Sequence, residues 1–310
     1  MISIPGAPII GGDANPGVWT PDSVLIGAQQ SKPFYSIDMT AATLDSRITY
    51  TGPEYITFGS ASAFEFASEN TWAVEYRNSV PAGRIELNHA TSNLVTSIST
   101  SGITNTQRGT GWTEYRETAS TGEHAQLLDF TAGVVTAQFV FRHIGRENLA
   151  FRAQIISDGV YSQIGINNGE ISYQSPEFSR AEIISITDEI KVLTASFSAV
   201  AGTAMFCASD SVITNDDQPV YAGDTEKGFD LFFDGQIESG DISTSPIEIN
   251  ITGETYAAQS AVIDTSDAES ITLVYKFGGS KTYKTPGNTF ILPTAGKNWQ
   301  RRLIKRIDFR

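Results

Sequence analysis

The chain has a single cysteine, Cys207, among its 310 residues. A lone cysteine excludes a disulfide within the chain. Cys207 lies in the apolar run 204–208. This setting favours a buried, inert thiol over a nucleophile, because a reactive thiol needs solvent access and nearby positive charge. The fold must therefore hold together without covalent cross-links.

Long apolar runs and catalytic signatures are also missing. No segment approaches the roughly 20 apolar residues of a membrane span, and the start of the sequence has no secretory-signal pattern. Only three histidines occur, His89, His124 and His143, and none has the spacing of a metal site. Phosphate-binding loops, nucleophile elbows and zinc-type cysteine patterns are absent. We therefore expect a protein that is not an enzyme and that carries no cofactor and no metal.

Charged residues make up 18% of the chain, and the net charge is −14. This balance argues against nucleic-acid binding and against anionic membranes as partners. The C-terminal stretch 297–310 is the exception, with six basic residues and one acid. Two interpretations remain open, a tail that docks on an acidic neighbour and an edge strand that its charges protect from aggregation. The residues of the predicted docking tail are Arg301, Arg302, Lys305, Arg306 and Arg310.

A group of aspartates is the nearest approach to a cation site. Carboxylates are the ligands that Ca²⁺ prefers, but this spacing matches no EF-hand, and a solvated acidic loop is the better interpretation. The aspartates are Asp210, Asp216, Asp217, Asp224, Asp230 and Asp234.

Short alternating stretches and turns are what the sequence does contain. The stretch 137–143 alternates as a strand does, with Phe139, Phe141 and His143 on one face. The other face carries Gln138, Val140 and Arg142. The sequence 167–169, Asn-Asn-Gly, is a strong hairpin-turn signal, because Asn and Gly tolerate positive φ. No helical period extends beyond a few turns. The sequence predicts an all-β protein built on an antiparallel, jelly-roll-like β-sandwich.

Composition and breaks predict four parts. Residues 1–30 carry four prolines and should form an extended arm, with Trp19 and the run 24–26 as anchors. A small β-rich region follows at 31–110, then the sandwich at 111–250. The last part, 251–310, is a C-terminal β unit with the basic end.

The stretch 231–247 reads Leu-Phe-Phe-Asp-Gly-Gln-Ile-Glu-Ser-Gly-Asp-Ile-Ser-Thr-Ser-Pro-Ile. Strand alternation predicts that Leu231, Phe233 and Ile237 face the core. Phe232, Gln236 and Glu238 then form a second face.

This stretch resembles the closing strand of a β-sandwich module common in bacteriophage tail and fibre proteins. The shared pattern is aromatic, small, small, Gln, aliphatic, Glu, any residue, Gly, then Thr-Ser and an aliphatic residue. Residues 121–142 resemble the opening of the same module, and 84–94 match its preceding segment in part, with Ser92 at a usual Thr. The resemblance covers about half the chain. The module is similar to carbohydrate-binding sandwiches.

The resemblance implies a virion structural protein of the tail, fibre or host-adsorption apparatus, which acts by assembly. It would be made in the host cytoplasm and reside in the virion. Its partners would be other virion proteins and further copies of itself, with a trimer favoured. Three alternatives stay open. They are a lectin-like adhesin that contacts host surface glycan, a head fibre or capsid decoration protein, and, least favoured, a polysaccharide depolymerase.

A glycan or an interface would use the second face of the closing strand. The candidates there are Phe232, Gln236 and Glu238, joined by Trp112 and Tyr115 just before the sandwich. The same side chains could instead pack against another strand, domain or subunit. A Gln-x-Glu pair that belongs to the general pattern of the module favours this structural role.

Overall fold

The computed structural model describes residues 34–109, 111–157, 159–200, 202–247, 255–266, 268–285 and 287–310. The predicted arm, 1–30, and its anchors lie outside these ranges. The described residues form twenty-seven β-strands and no helix, which confirms the all-β prediction. None of them belongs to a helix that could cross a bilayer.

Short strands follow one another along the whole described chain. Those of the N-terminal half are β1 (Tyr35–Asp38), β2 (Ile48–Thr51), β3 (Tyr55–Phe58), β4 (Phe64–Ala67), β5 (Glu75–Arg77), β6 (Val80–Ile85), β7 (Thr91–Ser92), β8 (Val95–Ser101), β9 (Ile103–Arg108), β10 (Trp112–Glu117), β11 (Thr121–Gly122), β12 (His124–Phe130), β13 (Gly133–Ile144) and β14 (Asn148–Ser157). Those of the C-terminal half are β15 (Val160–Asn167), β16 (Glu170–Gln174), β17 (Arg180–Ser185), β18 (Lys191–Ala199), β19 (Thr203–Ser209), β20 (Tyr221–Ala222), β21 (Gly228–Ser239), β22 (Thr255–Tyr256), β23 (Ser260–Asp264), β24 (Ser270–Tyr275), β25 (Ser280–Lys284), β26 (Thr289–Ile291) and β27 (Leu303–Phe309).

Two six-stranded antiparallel sheets form the predicted sandwich. We call them the middle sheet, in the order β17-β18-β13-β21-β10-β9, and the outer sheet, in the order β16-β15-β14-β19-β12-β8. Aromatic rings join them, with Phe139 centred 5.2 Å from Phe151 and 4.9 Å from Phe206. The sandwich is therefore confirmed, whereas its jelly-roll-like connectivity stays a prediction.

A third layer, here called the base, combines residues 34–92 with residues 255–310. Its largest sheet runs β25-β24-β27-β6-β5, with β1 also paired to β27. Strand β2 pairs with β23 in a second sheet. The sequence predicted two separate flanking units, 31–110 and 251–310. Instead, strands of the two units pair with each other, and β8 and β9 belong to the sandwich. Strands distant in sequence pair here, and the alternation within one strand does not encode which strand is its partner.

The C-terminal strand β27 lies in the centre of the base sheet. It pairs with β24 on one side and with β1 and β6 on the other. The interpretation of a protected edge strand is therefore wrong. A register shift beside Val274 breaks the alternation, so that Leu303 and Ile304 are both buried while Lys305 is exposed.

The base covers the face of the middle sheet that points away from the sandwich core. Val140, Val192 and Phe232 of the middle sheet pack in one cluster with base residues. The rings of Phe64 and Phe232 stack with their centroids 4.2 Å apart. The middle sheet is thus buried on both faces, and the described residues form three layers.

The central position of β27 predicts unequal effects of two isoleucine truncations. Ile307 is fully buried in β27, and Ile291 is 69% exposed in β26. Ile307→Ala should lower the free energy of unfolding by about 2–5 kcal/mol, because it leaves a cavity in the base. The matched control, Ile291→Ala, should change it by about 0.5 kcal/mol or less. Chemical denaturation of both variants measures the difference, and equal effects would contradict the assignment of β27 as a central strand.

Candidate functional site

The closing strand β21 contains a bulge at its centre. Opposite it, β13 advances from Gln138 to Val140 while β21 covers the distance from Phe232 to Gln236. The inserted residues Phe233, Asp234 and Gly235 have positive φ values of 49°, 55° and 85°. A side chain at Gly235 would meet the ring of Phe139 at 2.5 Å, so only glycine fits there.

The bulge changes which side chains face the sandwich core. Leu231 and Ile237 are fully buried in that core, as the sequence predicted. Phe233 was predicted to join them, and this is wrong. It packs instead on the base, with its ring 6.1 Å from that of Phe66. Simple alternation fails here because the inserted residues reset the phase of the strand.

Beyond the bulge, Gln236 and Glu238 fold the following turn back onto the strand. The fully buried carboxylate of Glu238 accepts hydrogen bonds from the Thr244 amide at 2.9 Å, the Thr244 hydroxyl at 2.8 Å and the Gln236 amide at 2.6 Å. Gln236 Oε1 accepts from the Ile247 amide at 2.7 Å. We call Gln236, Glu238 and Thr244 the clamp. It joins the Gln-x-Glu and Thr-Ser parts of the sequence pattern.

The turn held by the clamp is hydrogen-bonded to both segments of the base, 34–92 and 255–310. The Ser243 amide donates to Asn298 Oδ1 at 2.9 Å, and the Asn88 side-chain amide donates to the Ser245 hydroxyl at 2.7 Å. On the sandwich side, the Gln138 amide donates to the Thr244 carbonyl at 3.1 Å. The clamp therefore links the middle sheet to both chain segments of the base.

The clamp carboxylate is buried, and its hydrogen-bond partners are neutral. Burial raises the pKa of Glu238, since desolvation penalises the charged form, and hydrogen bonds from Thr244, Thr91 and Gln236 oppose this rise. A buried carboxylate without such donors would cost several kcal/mol. The local geometry of the turn is thus fixed by the need to give the carboxylate of Glu238 hydrogen-bond donors.

The predicted glycan face is buried between the middle sheet and the base. Phe232, Gln236 and Glu238 are at most 3% exposed and face the base. Trp112 is partly buried there, with the Arg142 guanidinium 4.0 Å from its ring centroid and the Phe232 ring at 5.2 Å. A sugar therefore has no open aromatic face on these residues. They take the alternative role given above, packing within the chain.

Tyr115 does not share this face. Its ring stacks on Phe229 inside the sandwich core, with centroids 5.3 Å apart. Its hydroxyl donates to Asp234 Oδ1 at 2.8 Å and thereby holds the bulge from the side of the sandwich core. The register of β10 thus places Trp112 and Tyr115 on opposite sides of the middle sheet.

Most of the predicted docking tail has partners within the chain. Arg301 pairs with Glu182 at 3.2 Å, Arg302 with Glu86 at 3.6 Å, and Arg306 with Asp308 at 2.7 Å. The Arg310 amide bonds to the carbonyl of Ser270 in β24, and Lys305 is exposed. The side chains of Arg301 and Arg306 keep about half their surface open, at 53% and 49%. Docking on an acidic neighbour stays a prediction.

The aspartate loop is bonded to the outer sheet. Asp216 accepts hydrogen bonds from the Ser175 hydroxyl and, at 3.1 Å, from the Gln163 amide. Across the described residues, no three His, Cys, Asp or Glu side chains are arranged to hold a metal ion. Cys207 is fully buried beneath this region, and burial raises the pKa of its thiol.

A polar cleft of about 660 Å³ opens where the strands of the middle sheet end. Strand register brings Arg142 and Asp230 opposite each other, and their ion pair measures 2.6 Å. Arg146 holds Glu117 through two bonds of 2.6 and 2.7 Å. The sequence contained no signal for this cleft, because its parts come from loops and strands far apart in the chain. The lining residues are Arg142, His143, Gly145, Arg146, Glu147, Asn168, Asp188, Glu189, Lys191 and Asp230.

Two buried acceptor atoms beside the cleft have no hydrogen-bond partner among the described residues. One is Oδ1 of Asp230, which is only 7% exposed and whose pKa is raised by burial against the opposing charge of Arg142. The other is Nε2 of His143. Its Nδ1 lies 2.7 Å from the Arg146 carbonyl and must carry the proton, and burial lowers the pKa of the ring. Both atoms are closed to solvent, whereas Glu147, Asp188 and Glu189 line the cleft with exposed carboxylates.

Comparison of the chain with protein-family models and with curated proteins finds no match.

The clamp makes a prediction about stability. Glu238→Ala should lower the free energy of unfolding by about 3 kcal/mol, because the buried donors of Thr244 and Gln236 lose their acceptor. Glu238→Gln should cost less, since the amide oxygen keeps part of the acceptor role. Urea denaturation of the two variants at neutral pH measures this order. An equal loss in both variants would contradict the hydrogen-bonding role.

The raised pKa of Glu238 gives the sign of a pH effect. The native state binds this proton more readily than the unfolded state, in which the ordinary value is 4.5. The contribution of Glu238 to stability is therefore full below pH 4.5 and falls as pH rises through the native pKa. Glu238→Gln does not titrate, so its deficit relative to the wild type should be larger at acidic than at neutral pH. A deficit independent of pH would contradict the raised pKa.

Proposed function

We propose that the chain is a bacteriophage virion structural protein of the tail, fibre or host-adsorption apparatus, and that it acts by assembly. The clamp is the observation that supports this most. The residues that carry the resemblance to the phage module, Gln236, Glu238 and Thr244, are buried and bond a sandwich to a base. This is an architectural use of the pattern, which fits a part that presents a module on a particle.

The arrangement of the chain ends also supports an attached role. The Phe34 amide bonds to the Phe309 carbonyl at 3.2 Å, so both ends of the described chain meet in the base. The sandwich is inserted between the two halves of the base as residues 94–247. A base fixed to a particle would hold the sandwich outward. A head fibre or decoration protein would use the same arrangement, so tail and head positions both belong to this proposal.

Purified particles test the proposal. The protein should copurify with virions through a density gradient at a fixed ratio to the major capsid protein, as measured by quantitative mass spectrometry. A soluble replication protein of the same phage serves as the control and should be depleted in the same fractions. Separation of heads from tails then assigns the position. Absence from purified particles would contradict the virion proposal.

A second candidate function, glycan binding, is favoured by the cleft rather than by the closing strand. Sugar hydroxyls donate hydrogen bonds, and the cleft offers the exposed carboxylates of Glu147, Asp188 and Glu189 as acceptors. Its volume of about 660 Å³ falls within the usual range for small-ligand sites, about 300–1,000 Å³. In this proposal the chain is an adhesin, and the cleft, not Phe232, contacts the host surface.

A glycan array with two aspartate variants tests the adhesin. The wild type should bind a restricted set of glycans, and Asp188→Asn should weaken that binding about tenfold, because it removes an exposed charged acceptor from the cleft. Asp210→Asn changes an exposed acid outside the cleft and should bind as the wild type does. Uniform signals across all glycans would contradict the adhesin. Release of reducing ends from host polysaccharide would favour the depolymerase instead.

A further inference from the structure

Strand β9 forms one edge of the middle sheet, and β8 forms the edge of the outer sheet on the same side. In the described part of the chain, β9 pairs with β10 alone. Its residues after Ile103 are all exposed, and its register with β10 runs without a bulge. An open edge of this kind offers unpaired backbone groups to another strand.

This edge lacks the features by which proteins usually protect one. Residues 94–113 contain no acid and no proline, and their single charge is Arg108. The edges on the opposite side of the sandwich differ, since β16 carries Glu170 and β17 carries Arg180 and Glu182. Glu182 also bonds to Asn298 and Arg301 from the base. Among the described residues, one side of the sandwich is protected and the other is open.

The hydrogen bonds of β10 show which groups of β9 are free. The Thr118 amide bonds to the Gly102 carbonyl at 2.8 Å, toward β9, whereas the Glu117 amide bonds to Lys227, toward β21. Because antiparallel strands alternate, Thr104 and Thr106 bond to β10. The amides and carbonyls of Ile103, Asn105 and Gln107 therefore point outward.

We propose that a second copy of this chain pairs antiparallel with β9 about a two-fold axis at Asn105. Residues whose backbone groups point outward must lie opposite each other in the two copies. Asn105 therefore lies opposite Asn105 of the second copy, and Ile103 lies opposite Gln107 of the second copy. Thr104 then lies opposite Thr106, a favourable cross-strand pair. The backbone can form up to six new hydrogen bonds.

The charge distribution favours this edge over the rest of the surface as the place where a second copy binds. The chain carries −14, so two copies repel each other over most approaches. The stretch 94–113 carries no acid, and in the proposed register Arg108 lies opposite Gly102, away from its own counterpart. A two-fold contact here places no like charges opposite each other. This inference rests on the edge alone and stands whether or not the protein belongs to a virion.

A proline at the centre of the edge tests the pairing in the full chain. Asn105→Pro removes an outward amide and leaves the bonds from β9 to β10 in place. Light scattering after size-exclusion chromatography should give the wild type twice the 33.5 kDa mass of one chain and Asn105→Pro a single mass. Asn105→Thr keeps the amide in a residue that favours strands, and it should remain a dimer.

A second measurement guards against a proline variant that fails to fold. Hydrogen exchange of the wild type should show slower exchange at the amides of Ile103, Asn105 and Gln107 as protein concentration rises, with no change at Thr104 and Thr106. A wild type that is monomeric at all concentrations would overturn the proposal. A folded Asn105→Pro variant that keeps the wild-type mass, or a trimer in the wild type, would overturn it too.

Discussion

The buried carboxylate of Glu238 is the constraint on which the rest of the architecture depends. A carboxylate removed from water must be given hydrogen-bond donors, and those of Glu238 come mainly from Thr244 and Gln236. The chain brings the donors of Thr244 to this carboxylate by turning back after β21. That turn carries Ser243 and Ser245 to Asn298 and Asn88 in the two halves of the base. One side chain thus couples the sandwich to a layer built from residues 34–92 and 255–310.

This coupling explains the unusual middle sheet. Its strands alternate apolar with polar residues, a pattern that commonly indicates one face in water. Here the polar face is buried too, and Gln138, Thr194 and Glu238 bond to the turn and the base. The face first considered for sugar is an interior contact. The cleft at Asp230 lies at the end of the middle sheet, and strand β9 lies at its edge.

Local patterns predicted what local chemistry decides. The hairpin turn at Asn168 and Gly169 forms with φ values of 50° and 77°, and Leu231 and Ile237 lie in the core. The bulge that turns Phe233 away from the sandwich core depends on the close approach of Phe139 to Gly235. The residue pattern of one strand cannot predict a contact with another strand. The central place of β27, the shared base and the Arg142–Asp230 pair depend on registers between distant strands, and alternation carries no information about partners.

The most direct test of the clamp is a double-mutant cycle between Glu238 and Thr244. Free energies of unfolding are measured for the wild type, Glu238→Gln, Thr244→Val and the double variant. A direct bond between the two residues predicts a coupling energy of about 1 kcal/mol or more. A parallel cycle of Glu238→Gln with Ile291→Ala, a distant exposed site, should be additive. Additivity between Glu238 and Thr244 as well would contradict the account.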